Sequence, residues 1–185
     1  ATERGYSYSR EVNWNTSYLK QFHFFEIRPI ERKYNCLNGG FKGMEESWEI
    51  ADVCFNEGQA FTAETINTTV MVLKLNRTLP IFTMEREKAY EKLFDRVIAF
   101  TGYRDIEFQM FSKFSKKFMV MGQDEDELQS FFTKEVVQFF EDHQISHVES
   151  NGEALLIFNK LKLARTDETL EFIDYGEELA NLLHA

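Results

Sequence analysis

Between residues 22 and 28, Phe22, Phe24, Glu26 and Arg28 alternate with His23, Phe25 and Ile27, a period of two that predicts a strand ended by Pro29. Residues 34–37 predict a short strand, and Asn38-Gly39-Gly40 offers the positive-φ backbone of a turn into a return strand over 48–55. Val70, Met71, Val72 and Leu73 are consecutive within an extended stretch over 65–75, as suits a central strand covered on both faces. Leu79-Pro80-Ile81-Phe82 continues in extended form, because proline drives its predecessor out of the α region.

Helical spacing follows. Thr83 is a predicted N-cap with Glu85 and Glu87 in the first turn, and Ala89, Leu93 and Val97 form the i, i+4 stripe of a helix ending at Gly102. Asp124, with Glu127 three residues on, predicts a capping box opening a helix to His143, whose apolar face carries Leu128, Phe131, Phe132, Val136, Phe139 and Phe140. A third helix is predicted over 167–183, with Gly176 on the apolar stripe and suited to close approach. Short extended stretches at 105–108 and 118–121 precede a hairpin in which 148–150 and 153–158 flank Asn151-Gly152. This order predicts an α+β fold, an antiparallel or mixed sheet of about seven strands with about three amphipathic helices. Residues 1–185 are expected to form a single domain.

Composition narrows the function classes. Nineteen Phe in 185 residues promise an aromatic core. A net charge of −10 disfavours nucleic acid, whose phosphates demand Lys and Arg, and also anionic lipid. Lys113, Lys116 and Lys117 make the best basic cluster, expected as a solvated strand edge. Cys36 and Cys54 are too few for a stapled fold and are expected as reduced, half-buried thiols. No apolar run approaches the ~20 residues that span a bilayer, so this segment is not expected to insert into a membrane.

The search for chemistry finds little. Asn38-Gly39-Gly40-Phe41-Lys42-Gly43 lacks the spacing and following helix of a phosphate loop, and no cofactor is expected. His143 and His147 are four apart, but the helix should end between them, leaving capping or solvated histidines without further metal ligands. The acidic run 124–127 suits a helix start better than a cation site. Asp105 and Glu107 share a strand face, and Asp52 sits in a mostly apolar strand. With His143 these are the only catalytic candidates, against no announced nucleophile. Three readings remain: a non-enzymatic interaction or scaffolding domain with an unknown protein partner, a hydrolase-like or small-ligand-binding enzyme built on that carboxylate and histidine set, and, behind both, a lipid-facing periplasmic or cytoplasmic module beside a membrane.

One resemblance runs along the chain. Glu3-Arg4-Gly5-Tyr6-Ser7-Tyr8, Asn35-Cys36-Leu37-Asn38-Gly39, Asp105-Ile106-Glu107-Phe108, Phe114-Ser115-Lys116-Lys117-Phe118 and Glu149-Ser150-Asn151-Gly152 resemble a family of uncharacterised bacterial proteins. Its members usually carry N-terminal membrane-spanning helices ahead of a soluble domain. The resemblance implies an anchor outside these residues; with two cysteines that show no disulfide pattern and so fit a reducing compartment, the expected place is the cytoplasmic side of the inner membrane, otherwise the cytoplasm. It implies no activity.

Overall fold

The computed structural model describes residues 5–58, 64–86, 102–143 and 145–184. Nine strands form one sheet: β1 (Ser7–Ser9), β2 (Ile30–Gly40), β3 (Ser47–Glu57), β4 (Glu64–Lys74), β5 (Phe82–Arg86), β6 (Arg104–Asp105), β7 (Phe118–Gly122), β8 (His147–Ser150) and β9 (Ala154–Phe158). Their spatial order is β1-β2-β3-β4-β9-β8-β5-β7-β6, and every neighbouring pair is antiparallel. Five α-helices accompany them among the described residues: α1 (His23–Glu26), α2 (Ser112–Ser115), α3 (Glu125–Phe131), α4 (Lys134–Asp142) and α5 (Thr166–His184). The α+β class is as expected, with nine strands in place of about seven and five helices in place of about three.

Both faces of the sheet are covered, and β9 shows how. Its five residues are all buried: Leu155 and Ile157 join the core under α3, α4 and α5, while Ala154, Leu156 and Phe158 join a second core on the other face. Alternating side chains point to opposite faces, so a strand covered twice reads as a continuous apolar run. Residues 70–73 of β4 divide in the same way. Phe132 centres the helix-side core, its ring 5.0 Å from Phe108, 5.3 Å from Phe82 and 5.6 Å from Phe114.

The second face is closed by the chain before β2. A 3₁₀ turn (Leu19–Gln21) and α1 bury Leu19, Phe22, Phe24 and Phe25 against Val53, Phe55 and Phe158. The expected strand over 22–28 is therefore helical. Adjacent Phe24 and Phe25 are both buried, which one face of a strand cannot achieve.

Five further features depart from expectation. Thr83 and Glu85 lie within β5 rather than opening a helix, and residues 87–101, where that helix was expected, lie outside those described. Gly39 and Gly40 continue β2, and a Cβ at Gly39 would fall 2.5 Å from the Trp48 ring, so the glycine makes room for an indole instead of a turn. The helix from Asp124 breaks at Phe132 (φ −79°, ψ 65°), and Thr133 recaps it by accepting from the Val136 N–H at 3.4 Å. Lys113 belongs to α2 and not to a strand edge. The hairpin joining β8 to β9 turns at Gly152 (φ 95°) and Glu153, one residue later than expected, because the Asn151 side chain accepts from the Ala154 N–H at 2.9 Å.

Gly176 does permit close approach: a Cβ there would fall 2.2 Å from the Met71 methyl, so α5 lies directly on β4.

Candidate functional site

The close seating of α5 leaves a groove of about 580 Å³ between its first turns, the end of α4 and the loop over residues 159–165. Ile145, Phe172 and Tyr175 give it a buried apolar floor, and Leu163 stands at the rim, 42% exposed. The Tyr175 hydroxyl is buried with no hydrogen-bond partner among the described residues. Burial and the nearby Glu178 charge hold its pKa well above the ordinary tyrosine value.

The loop wall is tied to the sheet by named bonds. Thr68 Oγ1 donates to the Lys160 carbonyl at 2.8 Å, the Thr69 N–H donates to the Lys162 carbonyl at 3.3 Å, and the Ala164 N–H donates to Thr69 Oγ1 at 2.8 Å. Thr69 Oγ1 in turn donates to Asp52, whose other oxygen accepts from Asn35 Nδ2 at 2.7 Å. Lys160 and Lys162 each lie 3.8 Å from Glu168, and Arg165 lies 2.9 Å from Asp167 and 3.9 Å from Glu168. Glu168 accepts from the Arg165 N–H, which with these cations holds its carboxyl below the ordinary value.

His143 closes α4 on the opposite side. Its Nδ1 lies 2.8 Å from the Phe139 carbonyl, an acceptor, so Nδ1 must carry a proton. Nε2 lies 3.4 Å from Glu178, and that contact is attractive only when the ring carries both protons. The ring packs 4.2 Å from Phe139 and 5.1 Å from Tyr175.

Of the four catalytic candidates, only His143 lines this groove. Asp52 stands behind the wall as an anchor for Thr69. Asp105 is on edge strand β6, exposed like Glu107, with burial and the Glu107 charge raising its pKa. β3 and β6 are six strand positions apart, roughly 29 Å at the usual interstrand spacing, so Asp52 and Asp105 do not meet.

A second polar cluster, which sequence reasoning missed, lies under α1. His147 was expected to be solvated or capping, and is instead buried on β8. Its Nδ1 lies 2.7 Å from Glu85 Oε1, and its Nε2 is in ionic contact with Glu149 at 3.5 Å. The ring stacks on Phe158 at 4.3 Å. Glu149 accepts from the backbone N–H groups of His23 and Phe24 and so holds the start of α1. Arg28 is buried beside them, paired with Glu57 and lying 4.4 Å over the Phe24 ring. Burial works against the imidazolium, but the Glu149 and Glu85 carboxylates outweigh it, and His147 is held above its ordinary value. Burial drives Glu85 up as well, with His147 and Arg28 only partly offsetting it. His23 meets the Tyr103 hydroxyl at 2.7 Å, and burial together with Glu149 and Glu26 pushes that hydroxyl up to about 12. The cluster is sealed by aromatic rings, so its chemistry is to fasten the N-terminal segment to the sheet.

Cys36 and Cys54 are free, and burial raises both thiols. Among the described residues no group of three or more His, Cys, Asp or Glu is arranged to hold a metal ion.

No family model matches the chain, and no curated protein does. Among the described residues no helix is long and apolar enough to cross a membrane. The resemblance to a family with N-terminal membrane-spanning helices is overturned by the comparisons, which match no family model and find a likeness of fold elsewhere. The chain is similar instead to the crystal structure of the mycobacterial trehalose monomycolate transport factor A, TtfA, at a TM-score of 0.63 and 13% identity, over 98% of this chain and 89% of that one, a likeness of fold.

Proposed function

We propose that residues 1–185 act as one non-enzymatic interaction domain in a transport process, holding a partner protein in the groove beside α5. The groove itself carries this reading: an apolar floor rimmed by charge suits a docked segment. The dispersal of Asp52, Asp105 and His143 over three separate places supports it against catalysis. The name of the fold neighbour, a transport factor, supports the association with transport. Two free, buried thiols suit a reducing compartment, and the cytoplasm is the location attached to this reading.

A photoreactive benzoylphenylalanine replacing Leu163 tests it in cells that make the protein natively. The expected result is a discrete protein adduct that is absent when the probe replaces Ile81, which is exposed on another part of the surface. No adduct at Leu163 would count against the reading. Turnover of ester, phosphate or glycoside substrates that His143→Ala abolishes would replace it with the enzyme.

A further inference from the structure

The charges around the groove are not evenly matched. On the loop wall, Lys160, Lys162 and Arg165 converge on Glu168, with Asp167 taking a second contact from Arg165, so each of the three cations on that wall already has a carboxylate within 4 Å. On the α5 wall, Glu171, Asp174 and Glu178 are all exposed and lie three and four residues apart, which puts them in one row. The row is roughly 10 Å long at the helical rise. Asp142 faces the same groove from the end of α4. Among the described residues none of these four carboxylates is paired with a Lys or Arg; His143 approaches Glu178, and Gln138 Nε2 donates to both oxygens of Asp142 at 2.9 Å.

We infer that the groove takes a cationic amphipathic peptide segment of a partner protein. Its apolar side chains cover Ile145, Phe172 and Leu163, and its Lys or Arg side chains meet Glu171, Asp174 and Glu178. Leu163, 42% exposed at the rim, demands more than a bare cation, because covering it needs apolar atoms on the ligand. The acidic row repels an anionic segment, and a net charge of −10 sets a second copy of this chain against it. The buried Tyr175 hydroxyl, without an acceptor among the described residues, offers a donor to a segment that shifts the floor on docking.

This inference rests on the groove being a docking site, and its test separates the two. Two fluorescein-labelled peptides of about fifteen residues, roughly four helical turns, share one pattern of leucines and carry either lysine or glutamate elsewhere. Anisotropy titration of the whole chain should show saturable binding of the lysine peptide, weakened by salt, and none of the glutamate peptide. The triple variant Glu171→Gln, Asp174→Asn, Glu178→Gln should weaken binding by about tenfold or more, three rim charges at several tenths of a kcal/mol each. A control triple, Glu107→Gln, Glu125→Gln, Glu177→Gln, removes the same charge outside the groove and should change affinity by less than about twofold. Leu163→Asp should weaken binding as well. Equal loss in both triples, or equal binding of both peptides, would overturn the inference. A discrete adduct at Leu163 whose docked segment is acidic would sink the inference and leave the docking site standing. Absence of any adduct would sink the site.

Discussion

His143 and His147 lie four positions apart in the chain, and each meets a glutamate and at least one aromatic ring, yet the two environments are opposite. His147 is 2% exposed, held by Glu85 and Glu149 and stacked on Phe158. His143 is 29% exposed and touches a Glu178 that stands in solvent. Water decides what such a pair is for. Sealed from it, a pair cannot be broken without stranding a charge, so it fastens structure. Open to it, the pair exchanges partners at little cost and is available to a ligand.

The sharpest way to break this comparison is to empty the sealed site. Glu149→Ala removes a carboxylate from His147 and the acceptor from the His23 and Phe24 amides, and should cost roughly 3–5 kcal/mol in denaturant unfolding. Glu149→Gln keeps an acceptor for one amide and should cost less. A loss below about 1 kcal/mol for the alanine variant would show that the cluster does not fasten α1.

A second break acts on the hairpin that carries the sealed site. Gly152 sits at φ 95° in its turn, so Gly152→Val should cost about 1–3 kcal/mol in thermal unfolding. An unchanged melting temperature would mean that the turn tolerates a branched side chain.

The comparison can also be sharpened by titration. Folding raises the pKa of His147 from 6.5 and that of Glu85 from 4.5, so the folded state binds both protons more tightly than the unfolded chain. Their contribution is complete below those ordinary values and is lost as pH rises through the raised folded values. Wild-type stability should therefore fall above pH 6.5 more steeply than that of His147→Gln, by at most about 1.4 kcal/mol per pH unit for one proton. Parallel profiles would remove His147 as the cause. The smallest effect belongs to the open site: His143→Ala should change stability by less than about 1 kcal/mol, measured by the same melts.

The sequence showed local caps and long apolar stripes more faithfully than the type and cover of its short elements. Asp124 caps α3 as expected, accepting from the Glu127 N–H at 3.0 Å, because capping is local and its residues sit side by side in the chain. α5 was legible from its stripe for the same reason. β5 and β8 were harder to read. In β5, Phe82 and Met84 face one core while Thr83 and Glu85 are buried on the other side, and in β8 Val148 lies between buried His147 and Glu149. Polar residues at every second position ordinarily mark a solvated strand face. Only cover from residues far away in the chain turns that face inward, and the cover here is α1, whose paired phenylalanines looked like part of a strand. The groove left no local signal because its walls come from α4, the loop before α5 and α5 itself.

The strand order has a consequence for synthesis of the chain. β1 to β4 form one run of neighbours and β5, β7 and β6 another, and β8 with β9 lies between them. Until residues 147–158 leave the ribosome, both β4 and β5 are open edges with unpaired backbone groups, and each is apolar enough to recruit a neighbouring nascent chain. The hairpin closes the sheet late and seals both edges in one event. Vulnerability to aggregation should therefore be greatest in chains stalled just short of His147, and should drop sharply once Phe158 has emerged.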